Sequence, residues 1–98
     1  MLIVAVGRDP ARASAWHDLG VIRTKLGELS EAEVALRRSV SLAASDPRPR
    51  IALAALLVKS RRYRKAEVEY RALLDLELPP RIRSAVKKAL ALLASERN

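Results

Sequence analysis

The chain has 98 residues, no cysteine and a formal net charge of +8 at neutral pH. The lack of cysteine excludes disulfides, thiol nucleophiles and thiolate metal sites, and the length suits one small domain. Half of the residues are apolar but phenylalanine is absent, so we expect an aliphatic core. Alanine, leucine, arginine and glutamate dominate, and this composition favours helices throughout.

The first twelve residues precede the clearest helical pattern. The apolar run from Leu2 to Val6 is too short for a signal-peptide core or a membrane span, so we expect a cytoplasmic protein with no membrane association. Asp9-Pro10 is similar to Asp46-Pro47, which follows the first helical unit. We therefore interpret residues 1–12 as a partial helix or the tail of a preceding repeat.

Residues 13–46 predict a helical hairpin with a tight corner at Gly27. Apolar residues recur at helical spacing on both sides of this glycine. Gly27 suits the left-handed conformation beyond a helix end, and Ser30 with Glu33 has the spacing of a capping box for the second helix. The two apolar series are Trp16, Leu19, Ile22 and Leu26, then Leu29, Ala32, Leu36, Val40 and Ala43.

Residues 47–80 repeat this hairpin. One constant shift along the sequence relates each residue of the first hairpin to its equivalent in the second, as Ala32 to Ala66, and we call it the repeat shift. The corresponding positions hold Leu53, Leu56, Leu57 and Ser60, then Ala66, Tyr70, Leu73 and Leu74. A period of this length is typical of stacked helical hairpins. After Pro79-Pro80, residues 81–98 form one more amphipathic stretch, which we interpret as a capping helix and tail.

The order of large and small side chains in the first hairpin resembles the tetratricopeptide repeat (TPR) family. The family pattern is W-x2-L-G-x2-Y, then A-x3-F, then P, and its period equals the repeat shift. Trp16, Leu19, Gly20 and Ala32 match it. The departures are Arg23 for tyrosine, Leu36 for phenylalanine, a late proline at Pro47 and, in the second copy, Arg50 for tryptophan and Ala54 for glycine. The resemblance implies an all-α fold, a right-handed α-solenoid of antiparallel helix pairs, with TPR-like repeats at residues 13–46 and 47–80.

In TPR proteins the first helix of each pair lines a concave groove that binds a peptide or helix of a partner. The resemblance therefore implies a protein-protein interaction scaffold for another protein or for a second copy of the chain, as in a homodimer. The groove positions are His17, Val21, Lys25, Arg48, Ile51, Ala55, Val58 and Lys59. A TPR clamp for a chaperone carboxylate is not expected, because there is no asparagine before Asn98.

All of the excess positive charge lies in residues 48–98. Three interpretations remain open: a solvated face, a docking surface for an acidic protein segment, and a basic nucleic-acid-associated helical module. A surface that binds single-stranded nucleic acid also needs exposed aromatic side chains, on which the bases stack. Trp16, Tyr63 and Tyr70 are the only aromatics, and all three are expected in the core.

Little in the sequence indicates catalysis. His17 is the only histidine, and we expect it not to face its neighbour Asp18. The three glycines are scattered and form no phosphate loop, and the paired acids of the repeats are interpreted as solvent-facing charges near helix starts. These acids are Glu31 and Glu33, and Glu67 and Glu69. We therefore predict that the chain is not an enzyme and that it has no catalytic residue, metal site or cofactor.

Overall fold

The computed structural model describes residues 10–97, which form five α-helices and contain no strand. The prediction of an all-α fold is therefore confirmed. The helices are α1 (Pro10–Lys25), α2 (Leu29–Leu42), α3 (Pro47–Lys59), α4 (Tyr63–Leu74) and α5 (Pro80–Arg97). Residues 1–9 of the partial unit predicted at 1–12 lie outside the described residues, and its last three residues belong to α1.

The α1–α2 and α3–α4 corners have the same backbone geometry. Gly27 and Arg61 both have a left-handed backbone, with φ of 81° and 63°. At each corner this residue donates its N–H to the carbonyl three residues before it, and the next residue donates to the carbonyl five before it. The N···O distances are 3.0 and 2.9 Å at the first corner and 2.9 and 2.8 Å at the second. The repeat shift, which carries Gly27 onto Arg61, is thus present in the backbone.

The capping box predicted at Ser30 and Glu33 is wrong. Helix α2 begins at Leu29, directly after the corner, and its N-cap residue Glu28 makes no side-chain capping bond. Ser30 is already inside the helix and cannot cap it. Glu33 pairs instead with Arg37 and Arg62.

Prolines begin the third and fifth helices, where the missing N–H costs no hydrogen bond. At the start of α3, the Asp46 side chain accepts a bond of 3.0 Å from the backbone N–H of Arg48. At the start of α5, the guanidinium of Arg83 donates to the carbonyls of Leu74 and Leu76 at 3.0 and 2.9 Å. Arg83 therefore fastens the end of α4 to the last helix.

The core is aliphatic, as expected, and lies along α2, α3 and α4. Each helix packs on the next along the chain, and α1 also contacts α3. Small side chains allow close approach at the points where the helices meet. The fully buried core residues include Ala32, Leu36, Leu53, Ala54, Leu56, Leu57, Ala66 and Leu73.

The sequence pattern misidentified the buried face of α1. Ile22 and Leu26 were expected inside, but they are 54% and 66% exposed. Ala13 and Gly20 face α2 instead, and a Cβ on Gly20 would lie 2.5 Å from the Cγ atom of Leu36. Helix α2 approaches so closely that only small residues fit beneath it. Trp16 is half-buried at the edge of this contact rather than in the core.

Candidate groove between the first and third helices

Helices α1 and α3 enclose an open cavity of about 250 Å³ on one side of the molecule. Four of the predicted groove residues lie together on its walls: Val21 and Lys25 from α1, Ala55 and Lys59 from α3. Thr24, Ala52 and Leu56 complete the lining. We refer to these seven residues as the groove.

The groove combines an apolar floor with two free positive charges. The floor is made of small and aliphatic side chains, and the two lysines are exposed at its rim. Within residues 10–97, neither Lys25 nor Lys59 has an ion-pair partner. Both ammonium groups are therefore available to a negatively charged ligand.

His17 and Arg48, two further predicted groove residues, lie among acidic side chains. The imidazole Nδ1 of His17 is 3.4 Å from a carboxylate oxygen of Asp18, so the expectation that these neighbours do not face each other is wrong. Arg48 donates to the Asp46 carboxylate at 2.7 Å. This hydrogen bond lowers the pKa of Asp46 and raises the pKa of Arg48. The charge of Arg48 is consequently already compensated.

The remaining predicted groove residues, Ile51 and Val58, are half-buried on α3. Val58 lines a second cavity, of about 350 Å³, rather than the groove. Tyr63 and Tyr70 were expected in the core, but they are half-buried and line this second cavity. Burial raises the pKa of Tyr70. The other lining residues are Ala89, Leu92, Leu93 and Glu96 of α5. Val58 corresponds to Thr24 of the groove after the repeat shift, and this equivalence could have indicated a second cavity from the sequence.

Two acidic residues predicted to face solvent instead join the two hairpins. Glu33 pairs with Arg37 and Arg62, while Glu69 lies 3.7 Å from Arg37 and 3.9 Å from Arg50. The side chains of Glu33 and Glu69 are only 17% and 12% exposed. We call these five residues the ionic network. The two carboxylates offset most of the charge of the three arginines, so these arginines contribute little to the basic surface.

One cluster of uncompensated charge lies at the α3–α4 corner. Arg61, Arg64 and Lys65 are exposed there, close in sequence to Lys59 of the groove. None of the four has an ion-pair partner in the part of the chain that the structure describes. Part of the excess charge predicted for the second half of the chain is thus uncompensated at this corner, which follows directly on Lys59 of the groove.

Residues 10–97 contain no group of three or more histidine or carboxylate side chains that could hold a metal ion. No helix within these residues is long and apolar enough to cross a membrane. Neither the models of known protein families nor the curated proteins match the chain. The TPR resemblance therefore stays a prediction from the residues quoted above.

Proposed function

We propose that the chain is a protein-protein interaction scaffold that holds a peptide or helix of a partner in the groove. In this proposal the helices form a right-handed TPR-like solenoid, with two helix pairs and α5 as the cap. Three observations support it: the corner geometry recurs after the repeat shift, small residues are buried at equivalent places, and α1 contacts α3 directly.

The observation that carries the proposal is the pairing of an apolar floor with free lysines. Val21, Ala52 and Ala55 offer a surface for an apolar side chain, and Lys25 and Lys59 flank it. A ligand that fits both features has an aliphatic anchor beside acidic residues. The exposed basic corner extends the positive potential, which accelerates association with a negative partner.

Nucleic acid is the alternative ligand for a basic surface. Single-strand binding normally combines basic groups with accessible aromatic rings on which bases stack. Here the guanidinium carbon of Arg38 lies over the Trp16 ring, 5.8 Å from the ring centroid. Both tyrosines are half-buried in the other cavity. No aromatic side chain lines the groove. These positions favour a polypeptide ligand.

The proposal is tested with short fluorescent peptides that contain leucine and glutamate, measured by anisotropy. We expect Lys25→Glu with Lys59→Glu to weaken binding about tenfold or more, equivalent to about 1.4 kcal/mol. The matched control is Lys87→Glu with Lys88→Glu, which makes the same charge change on exposed positions of α5. An equal loss in both double variants would show that binding depends on net charge alone and would refute the groove.

A second variant tests the apolar floor. Ala55 is exposed in the groove, so Ala55→Trp should fill the cavity without disturbing the core and should abolish peptide binding. Unchanged affinity would exclude the cavity as the binding site. If single-stranded DNA bound better than the peptides, with an affinity that fell steeply with salt, the alternative function would replace this one.

A further inference from the structure

The outer face of α1 carries apolar side chains that its counterpart in the second hairpin keeps buried. Leu56 of α3 is 1% exposed, whereas Ile22, its equivalent in the first hairpin, is 54% exposed. Leu53 is likewise 1% exposed, but the equivalent Leu19 is only half-buried. On α3 these residues belong to the core cluster that includes Leu36 of α2. On α1, no helix within residues 10–97 covers the corresponding face.

We propose that this face binds the same face of a second copy of the chain, with the two α1 helices antiparallel. The face consists of Ala15, Leu19, Ile22 and Leu26. Those residues follow one side of α1 for about 17 Å at 1.5 Å per residue. None of these four residues lines the groove, so the apolar face is separate from the apolar floor; only Lys25, at the edge of the face, belongs to both surfaces.

Charge complementarity favours a second copy as the occupant. Asp18 and Lys25 lie along one edge of the apolar face, on either side of Ile22. When a twofold axis passes near Ile22, this edge meets the same edge of the copy, running in the opposite direction. Asp18 of one chain then lies beside Lys25 of the other, and the pair forms twice.

The other edge of the face does not oppose this arrangement. Arg23 lies there, and two copies of an unpaired arginine would repel each other near the axis. However, Glu28 of the same chain accepts a hydrogen bond of 2.6 Å from Arg23 and compensates its charge. The pairing is therefore attractive along one edge and nearly neutral along the other.

The geometry also determines how strong the association is. A single helix face is smaller than the ~800 Å² per partner of a typical stable interface. We therefore expect a dimer that forms reversibly and depends on concentration. Because the edge with Lys25 borders the groove, the two grooves of the dimer would lie side by side.

Sedimentation equilibrium of the full chain over a wide concentration range tests this proposal. The wild type should approach the mass of a dimer, and Ile22→Asp should raise the dissociation constant by at least about tenfold. The matched control is Val68→Asp, because Val68 of α4 is also a β-branched residue with a similar exposure of 62%. Equal weakening by the two variants would overturn the proposal.

A charge exchange tests the antiparallel register. Asp18→Lys and Lys25→Asp should each weaken the dimer, and the double exchange should restore it, because both intermolecular pairs form again with reversed polarity. Failure to restore would refute the arrangement. A wild-type chain that stays monomeric at all concentrations would also refute it. In that case, a melting temperature that is lowered by Ile22→Asp but not by Val68→Asp would show that another segment of the same chain covers the face.

Discussion

Replacing Gly20 with alanine should destabilise the protein, although the same change stabilises most helices. Gly20 lies in the middle of α1, where alanine normally gains about 1 kcal/mol over glycine. The new Cβ, however, would lie 2.5 Å from both Cγ and Cδ2 of Leu36 and 3.3 Å from the carbonyl oxygen of Ala32. Carbon atoms pack best at about 3.5–4.0 Å, so Leu36 must move by about 1 Å.

The burial of Leu36 decides the balance between these two effects. Its side chain is 0% exposed and belongs to the main core cluster, so it has no free space to enter. An extra methyl group in a packed core costs about 1–3 kcal/mol. At the upper part of that range the clash exceeds the gain in helix propensity, and we expect a net loss of about 1–2 kcal/mol.

Thermal and urea unfolding followed by circular dichroism measure this loss. For a chain of this size the melting temperature should fall by about 4–8 °C for each kcal/mol. Ala54 is the equivalent residue of the second hairpin and already carries a buried methyl group. Ala54→Gly should therefore also destabilise, by about 1 kcal/mol, through lost helix propensity. A higher melting temperature for Gly20→Ala would refute the close contact between α1 and α2.

Three further predictions concern single residues. Arg61→Gly should raise the free energy of unfolding by about 0.5–1 kcal/mol, because glycine adopts the left-handed backbone without strain; lower stability would contradict this. Ser39→Ala should cost about 1 kcal/mol in urea unfolding, since the buried hydroxyl donates to the Ala13 carbonyl at 2.6 Å, and a neutral effect would exclude that bond. Arg48 holds the pKa of Asp46 below 3.8, so the stability from this pair is complete above that pH and is lost as the pH falls through the lowered pKa. Melting temperatures of Asp46→Asn should depend less on pH over this acidic range, and an unchanged dependence would contradict the assignment.

The ends of the helices could be predicted from the sequence because local chemistry determines them. Gly27 marks the corner after α1, and Pro47 and Pro80 begin α3 and α5. Two starts were misplaced: α1 begins at Pro10, which the sequence assigned to a preceding unit, and α2 begins at Leu29 rather than after Ser30, because the corner leads directly into that helix. Each of these signals acts within a few residues of the chain.

The packing could not be predicted in the same way because it depends on distant residues. A series such as Leu19, Ile22 and Leu26 has the same spacing whether another helix covers it or not. The ionic network joins residues from different hairpins, and of its pairs only Glu33 with Arg37 has the local spacing that a sequence can show. Groove residues were placed from TPR positions, and Val58 lies in the other cavity because it is on a different side of α3.

The central position of α3 has a consequence for how the protein opens. This helix packs on α1, α2 and α4, and Leu53, Leu56 and Leu57 on it are almost fully shielded from water. Separating either hairpin from the other would expose these leucines, so neither hairpin can melt without weakening the other. Amide protons in the middle of α3 should therefore exchange most slowly with solvent, whereas those near the two ends of the stack exchange through smaller, more frequent fluctuations.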